Sequence, residues 1–198
     1  MAQLLGGLQG ETSERLGGEL TKVVTSSVYD HNLAWHTDST SWQLPNKWQI
    51  LTLIEDDTLR RRAPTSILEW RTVLARLAHK QDVLDDLSSR SFPWREQFPE
   101  LVPLRAPVIG EPPRWLRPAL APQADDSGQF SDTALKQIDR TIVEAEDFNE
   151  VTLNKSTIVV FDNHAVLHRG PHLVPDGGRT VLRIKLGGII GTLQNPPL

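Results

Sequence analysis

Three short stretches carry side chains that could do chemistry. The first is His36-Thr37-Asp38, in WHTDST at 35–40. On an extended strand, residues i and i+2 point to one face, so an imidazole and a carboxylate could grip the same ion. A solvated His–Asp hydrogen bond explains an isolated pair equally well. The second stretch is VVFDNHAVLHRG at 159–170. There the spacing predicts a buried strand ending at Asp162-Asn163, then a turn that presents His168. A packed rim histidine is the plain alternative. His164, His168 and His172 recur every four residues, but Gly170 and Pro171 break the helix that would align them. The third is GGRTVLRIKL at 177–186, with Arg179 and Arg183 on one face of a strand and about 13 Å apart. Two guanidiniums on an inward face need an anion. On an outward face they need nothing, and Leu182, Ile184 and Leu186 would then be the buried side.

The elements that must position these residues follow from periodicity. Residues 20–29 (LTKVVTSSVY) and 47–54 (KWQILTLI) read as strands. Ser66-Ile67-Leu68-Glu69 has capping-box form and predicts a helix whose face is Ile67, Trp70, Leu74 and Leu77. A second short helix carries Val83, Leu84 and Leu87. From Phe92 to Pro122 prolines are dense, which predicts an extended, irregular excursion outside the core. A third helix fits 132–146, with Leu135, Ile138 and Ile142 on one side. Residues 156–161 (STIVVF) predict a buried strand, and 179–186 an alternating one. Strands at both ends with helices between them point to a β-barrel or jelly roll carrying a helical and Pro-rich insertion at 64–146. A single domain spans 1–198, with 1–18 as a loose lead-in.

Composition narrows the chemistry. The chain has 198 residues, a net charge of −4 and no cysteine. Thiolate metal sites, iron–sulfur clusters and thiol nucleophiles are therefore excluded, and a metal must be held by His, Asp, Glu or backbone oxygen. No single-sign field favours nucleic acid, and no apolar run matches a membrane span. The N-terminus lacks the pattern of a signal peptide, so a cytoplasmic location is expected.

Two histidines and one carboxylate make the facial triad of non-heme Fe(II) oxygenases, and an arginine can clamp a carboxylate co-substrate. In this order and spacing, the three motifs resemble the taurine dioxygenase and clavaminate synthase-like group of Fe(II)/2-oxoglutarate-dependent dioxygenases. The likeness runs over residues 19–190 and implies a double-stranded β-helix (jelly roll). It implies Fe(II) bound by His36, Asp38 and His168, with 2-oxoglutarate and O₂ as co-substrates. Arg179 would pair with the distal carboxylate of 2-oxoglutarate, and Thr58 is the nearest match to a threonine that assists it. Arg183, Trp42, Trp35 and His31 would lie on the side of a small-molecule substrate. The retained carboxylate implies oxygenation, most simply hydroxylation, where halogenases of this chemistry carry a small residue. Only 35 residues precede His36, fewer than the group usually has, so part of the usual N-terminal region is expected to be lacking. A non-catalytic jelly-roll binding module and a Zn²⁺ hydrolase or lyase on a small β-barrel are the rival readings.

Overall fold

The computed structural model describes residues 20–26, 34–55, 64–94, 104–117, 119–120, 130–170 and 178–188. A four-stranded antiparallel sheet has the order β1-β9-β2-β7, where β1 is Leu20–Ser26, β2 Trp48–Glu55, β7 Ile158–Asp162 and β9 Gly178–Leu186. The order places the last strand between the first two. A three-stranded sheet has the order β6-β3-β8, formed by Asn149–Val151, Thr65–Glu69 and Val166–Arg169. A third pair joins β4, Phe92–Trp94, to β5, Leu104–Ala106.

Period-two alternation puts Leu51, Leu53, Phe161 and Val181 on one face of the larger sheet, packed with Ile67 and Val166 of the smaller one. The larger core lies beyond, where α1 (Trp70–Leu77), α2 (Gln81–Ser89) and α3 (Thr133–Val143) bury Trp70, Val73, Leu77, Leu87, Leu135, Ile138 and Ile142. Helix α3 starts where the Asp132 side chain accepts from the backbone N–H of Leu135 at 2.9 Å, as the expected 132–146 helix requires. Among the described residues no helix is long and apolar enough to cross a membrane.

Five expectations are corrected. Ser66-Ile67-Leu68-Glu69 is not the first turn of a helix. It is β3, paired with β6 on one side and β8 on the other, and α1 begins only at Trp70. Two waiting sheet partners outweigh a local capping pattern. Val73, rather than Leu74, joins Trp70 and Leu77 in the core. The Pro-rich stretch is not outside the core: Trp94, Val108, Trp115 and Leu120 are fully buried in it. Strand β7, at the edge of the described sheet, is buried on one face only. Ile158 is 66% exposed while Phe161 points inward. His168 is not in a turn but in β8, opposite Ile67.

The end of β9 closes tightly on the loop before β2. Gly187 has φ 71°, and a Cβ on Gly188 would lie 2.8 Å from the backbone N of Asn46 and 3.0 Å from the carbonyl oxygen of Leu44. Both contacts are backbone, so neither yields cheaply. Gly188→Ala is expected to cost about 1–3 kcal/mol of stability, the usual range for overpacking. Urea denaturation measures it, and a cost near zero would mean that the 44–46 loop moves freely.

Candidate metal centre

His36 is held as a strand residue without belonging to a strand. Its N–H donates to the carbonyl of His168 at 3.0 Å, and the N–H of His168 donates back to the carbonyl of His36 at 2.9 Å. On its other side His36 bridges Leu116. This hydrogen-bonded antiparallel pairing sets the two imidazoles side by side, with ring centroids 4.2 Å apart. Phe161 from β7 packs on His168 at 5.0 Å. The flanking residues lock the same pair: the Arg169 guanidinium lies 4.4 Å from the Trp35 ring and 4.8 Å from that of Phe148.

Asp38 reaches the histidines from a turn, so strand alternation alone does not explain the HxD pair. Ser39 has φ 57°, a left-handed conformation that swings the chain back. Asn163 fixes the main chain of Asp38 on both sides. Its Oδ1 accepts from the Asp38 N–H at 2.8 Å, and its Nδ2 donates to the carbonyls of Asp38 at 3.2 Å and Asn46 at 2.9 Å. The Ser39 hydroxyl donates to Asn46 Oδ1 at 2.8 Å.

His36, Asp38 and His168 are each at most 7% exposed, and one potential ligand atom from each lies within 4.8 Å of the others. The His36 Nδ1 is 2.9 Å from the Ala34 carbonyl, which assigns the proton to Nδ1 and leaves Nε2 as a bare donor atom. Burial, with His168 beside it, pushes the His36 pKa down to about 3, so the ring is neutral at pH 7 and fit to coordinate. Burial pushes the Asp38 carboxyl up, but the cations of Lys185 and Arg183 outweigh it. The group stays well below the usual carboxylate range and is ionised. Its two oxygens are unlike. Oδ1 takes Arg183 Nη1 at 3.1 Å and lies 3.6 Å from Lys185 Nζ, whereas buried Oδ2 accepts no hydrogen bond and lies 3.5 Å from His168 Nε2. An orphaned carboxylate oxygen beside two buried imidazoles, that of His36 held neutral, is a donor set that fits a divalent ion.

The structure thus brings together His36, Asp38 and His168, and sets Arg183 directly against Asp38. Trp42 is buried nearby, with Lys185 Nζ 5.4 Å from its ring centroid and 3.0 Å from Ser39 Oγ. Arg179 lies in β9 opposite Thr25, at the same strand parity as Val181 and Arg183. Thr58 and His31 lie outside the described residues. The sequence assigns no role to three residues around the group. Lys185 shares a strand face with Arg183, which is a signal that was available. Asn163 follows a strand and is fully buried. Arg114 is in the Pro-rich stretch, where nothing in the pattern marks it.

No protein-family model matches the chain, and no curated protein matches it. Solved structures do. One is the crystal structure of the non-heme iron oxygenase OrfP in complex with Fe and alpha-ketoglutaric acid, at 18% identity and TM-score 0.57, covering 93% of this chain and 61% of that one. Another is OrfP with Fe, succinate and (3R,4R)-dihydroxy-L-Arg, at 18% identity and TM-score 0.58, covering 94% and 63%. OrfP with Fe and L-homoarginine gives 17% identity and TM-score 0.58, covering 94% and 62%. The chain therefore spans about three-fifths of the oxygenase chains it matches, and at this identity the likeness is one of fold.

Proposed function

We propose that this chain is an Fe(II)- and 2-oxoglutarate-dependent oxygenase that acts on a small molecule, built on a jelly roll of the taurine dioxygenase and clavaminate synthase-like kind. The observation that carries the reading is the buried His36/Asp38/His168 group, with one unpartnered carboxylate oxygen, a neutral His36 and a second imidazole beside them. The fold likeness to OrfP supports it, since those structures hold Fe with alpha-ketoglutaric acid or succinate.

In this reading His36 Nε2, Asp38 Oδ2 and His168 Nε2 hold the iron. When bound, the iron, 2-oxoglutarate and O₂ supply oxidation of a C–H bond, coupled to conversion of 2-oxoglutarate to succinate and CO₂. The protein's part is orientation and charge. Arg183 and Lys185 hold Asp38 through Oδ1, so that Oδ2 alone turns to the metal. Arg179 pairs with the distal carboxylate of 2-oxoglutarate, with Thr58 beside it, and Trp42 and His31 border the substrate along with Arg183. Phe161 and the Trp35–Phe148 pair keep water from the imidazoles. OrfP is described with arginine derivatives, so arginine and its analogues are the first substrates to screen.

Metal-free protein given Fe(II) and 2-oxoglutarate without O₂ is expected to develop a metal-to-ligand absorption band, which His168→Ala abolishes. Arg179→Ala is expected to weaken 2-oxoglutarate far more than iron. No band in the wild type would sink the reading. Binding without succinate formation on any substrate would favour a binding module, and hydrolytic turnover with Zn²⁺ alone would favour a hydrolase.

A further inference from the structure

Arg114 lies between β5 and α3, and its residue is only 5% exposed. Its guanidinium meets no carboxylate among the described residues. Nη1 donates to the carbonyls of Thr40 and Trp42, both at 2.8 Å, and Nη2 donates to that of Gln43 at 3.0 Å. A cation taken from water without a counter-ion is costly, and burial lowers the Arg114 pKa to about 10 while leaving it charged at neutral pH. What compensates it is the oxygen lining of one loop, and that loop is the one leaving Asp38 through the left-handed Ser39.

The segment around Arg114 is itself anchored. The Arg114 N–H donates to the carbonyl of Val108 at 2.9 Å, and Val108 is fully buried. At the next residue, the Trp115 N–H donates to Thr37 Oγ1 at 3.0 Å, and the Thr37 N–H donates to the Trp115 carbonyl at 2.8 Å. Residue 116 then bridges His36. One stretch of chain therefore holds residues 36, 37, 40, 42 and 43, on both sides of Asp38. Without the guanidinium, three carbonyl dipoles would converge with nothing between them, and the loop would open.

We propose that Arg114 is a positioning residue for the metal centre: its guanidinium gathers the carbonyls of Thr40, Trp42 and Gln43 and so sets where the Asp38 carboxylate meets His36 and His168. The proposal rests on that group binding a metal. A planar fork that reaches three acceptors is what arginine offers and lysine does not.

The test titrates Co²⁺ into the metal-free full chain, reading affinity by calorimetry and ligand geometry by the visible Co²⁺ bands. Arg114→Met is expected to weaken Co²⁺ by about 10- to 100-fold, the range for groups that orient a ligand, and to alter the bands. Arg114→Lys should fall between it and the wild type; if Arg114→Met does not fold, Arg114→Lys carries the comparison. Leu87→Ala, a cavity in α2 that removes no hydrogen-bonding side-chain group, should lower Tm yet leave Co²⁺ affinity and bands as in the wild type. Arg114 variants with unchanged affinity and bands would overturn the proposal, as would equal weakening in Leu87→Ala. A wild type that binds no Co²⁺ would instead overturn the metal-centre reading beneath it.

Discussion

Asp38→Ala is expected to weaken divalent-metal binding by more than about a hundredfold, beyond the range for residues that only orient a ligand. The reason is in the two oxygens. Oδ1 is engaged by Arg183 and Lys185, while Oδ2 is the only oxygen among the described buried side-chain atoms that lack a hydrogen-bond partner. Removing it leaves two imidazoles and no anionic donor. Asp38→Asn separates charge from shape. Its amide oxygen can still accept from Arg183, so the turn at Ser39 survives, but a neutral donor next to two cations attracts an ion poorly. The Asn variant should therefore resemble Ala in metal affinity and the wild type in stability. Calorimetry with Co²⁺ on the metal-free proteins measures the first, and urea denaturation the second. Affinity near the wild type in Asp38→Asn would show that this carboxylate is not a ligand.

The sequence made some of this legible and hid the rest for physical reasons. Side chains two apart on a short motif are local, so His36 and Asp38 stand out, although a turn with left-handed Ser39 aims the carboxylate rather than strand alternation. Alternation in 179–186 marked two faces but not which is inside. Register answers that: Leu51 pairs with Arg183 and Gln49 with Lys185, so the Val181, Arg183 and Lys185 parity is the one that meets Leu51, Leu53 and Asp38. A β-branched run such as 156–161 indicates strand, yet burial of both faces needs a packed layer on each, and Ile158 and Val160 of β7 are exposed. The Pro-rich stretch was least legible. Proline density excludes regular structure locally, but Trp94, Trp115 and Arg114 acquire their places through partners distant in the chain, and no periodicity announces such contacts.

Asn163→Ala is expected to have the largest effect on stability of any single change at the site, about 2–4 kcal/mol. Asn163 is fully buried, and its amide makes three hydrogen bonds to backbone groups of Asp38 and Asn46. Each such bond contributes about 0.5–1.5 kcal/mol net, and a buried group left unpaired costs about 1–3 kcal/mol. Alanine would leave three such groups at once, in a position where the Asn46 side chain, the close approach of Gly188 and the turn at Ser39 leave little slack. For a chain of this size the shift corresponds to about 5–15 °C in Tm. Asn163→Asp tests the donors separately. It can still accept from the Asp38 N–H, but it sets a carboxylate oxygen against the carbonyls of Asp38 and Asn46, so it should cost no less than alanine. Bound metal raises stability in proportion to the logarithm of its concentration over Kd. If Asn163 also holds Asp38 in place for the ion, Co²⁺ will stabilise Asn163→Ala less than it stabilises the wild type. Denaturation curves with and without Co²⁺ give both numbers. An unchanged metal-free midpoint would mean that the main chain at Asp38 and Asn46 is satisfied by water, and that Asn163 does not hold the turn carrying the carboxylate.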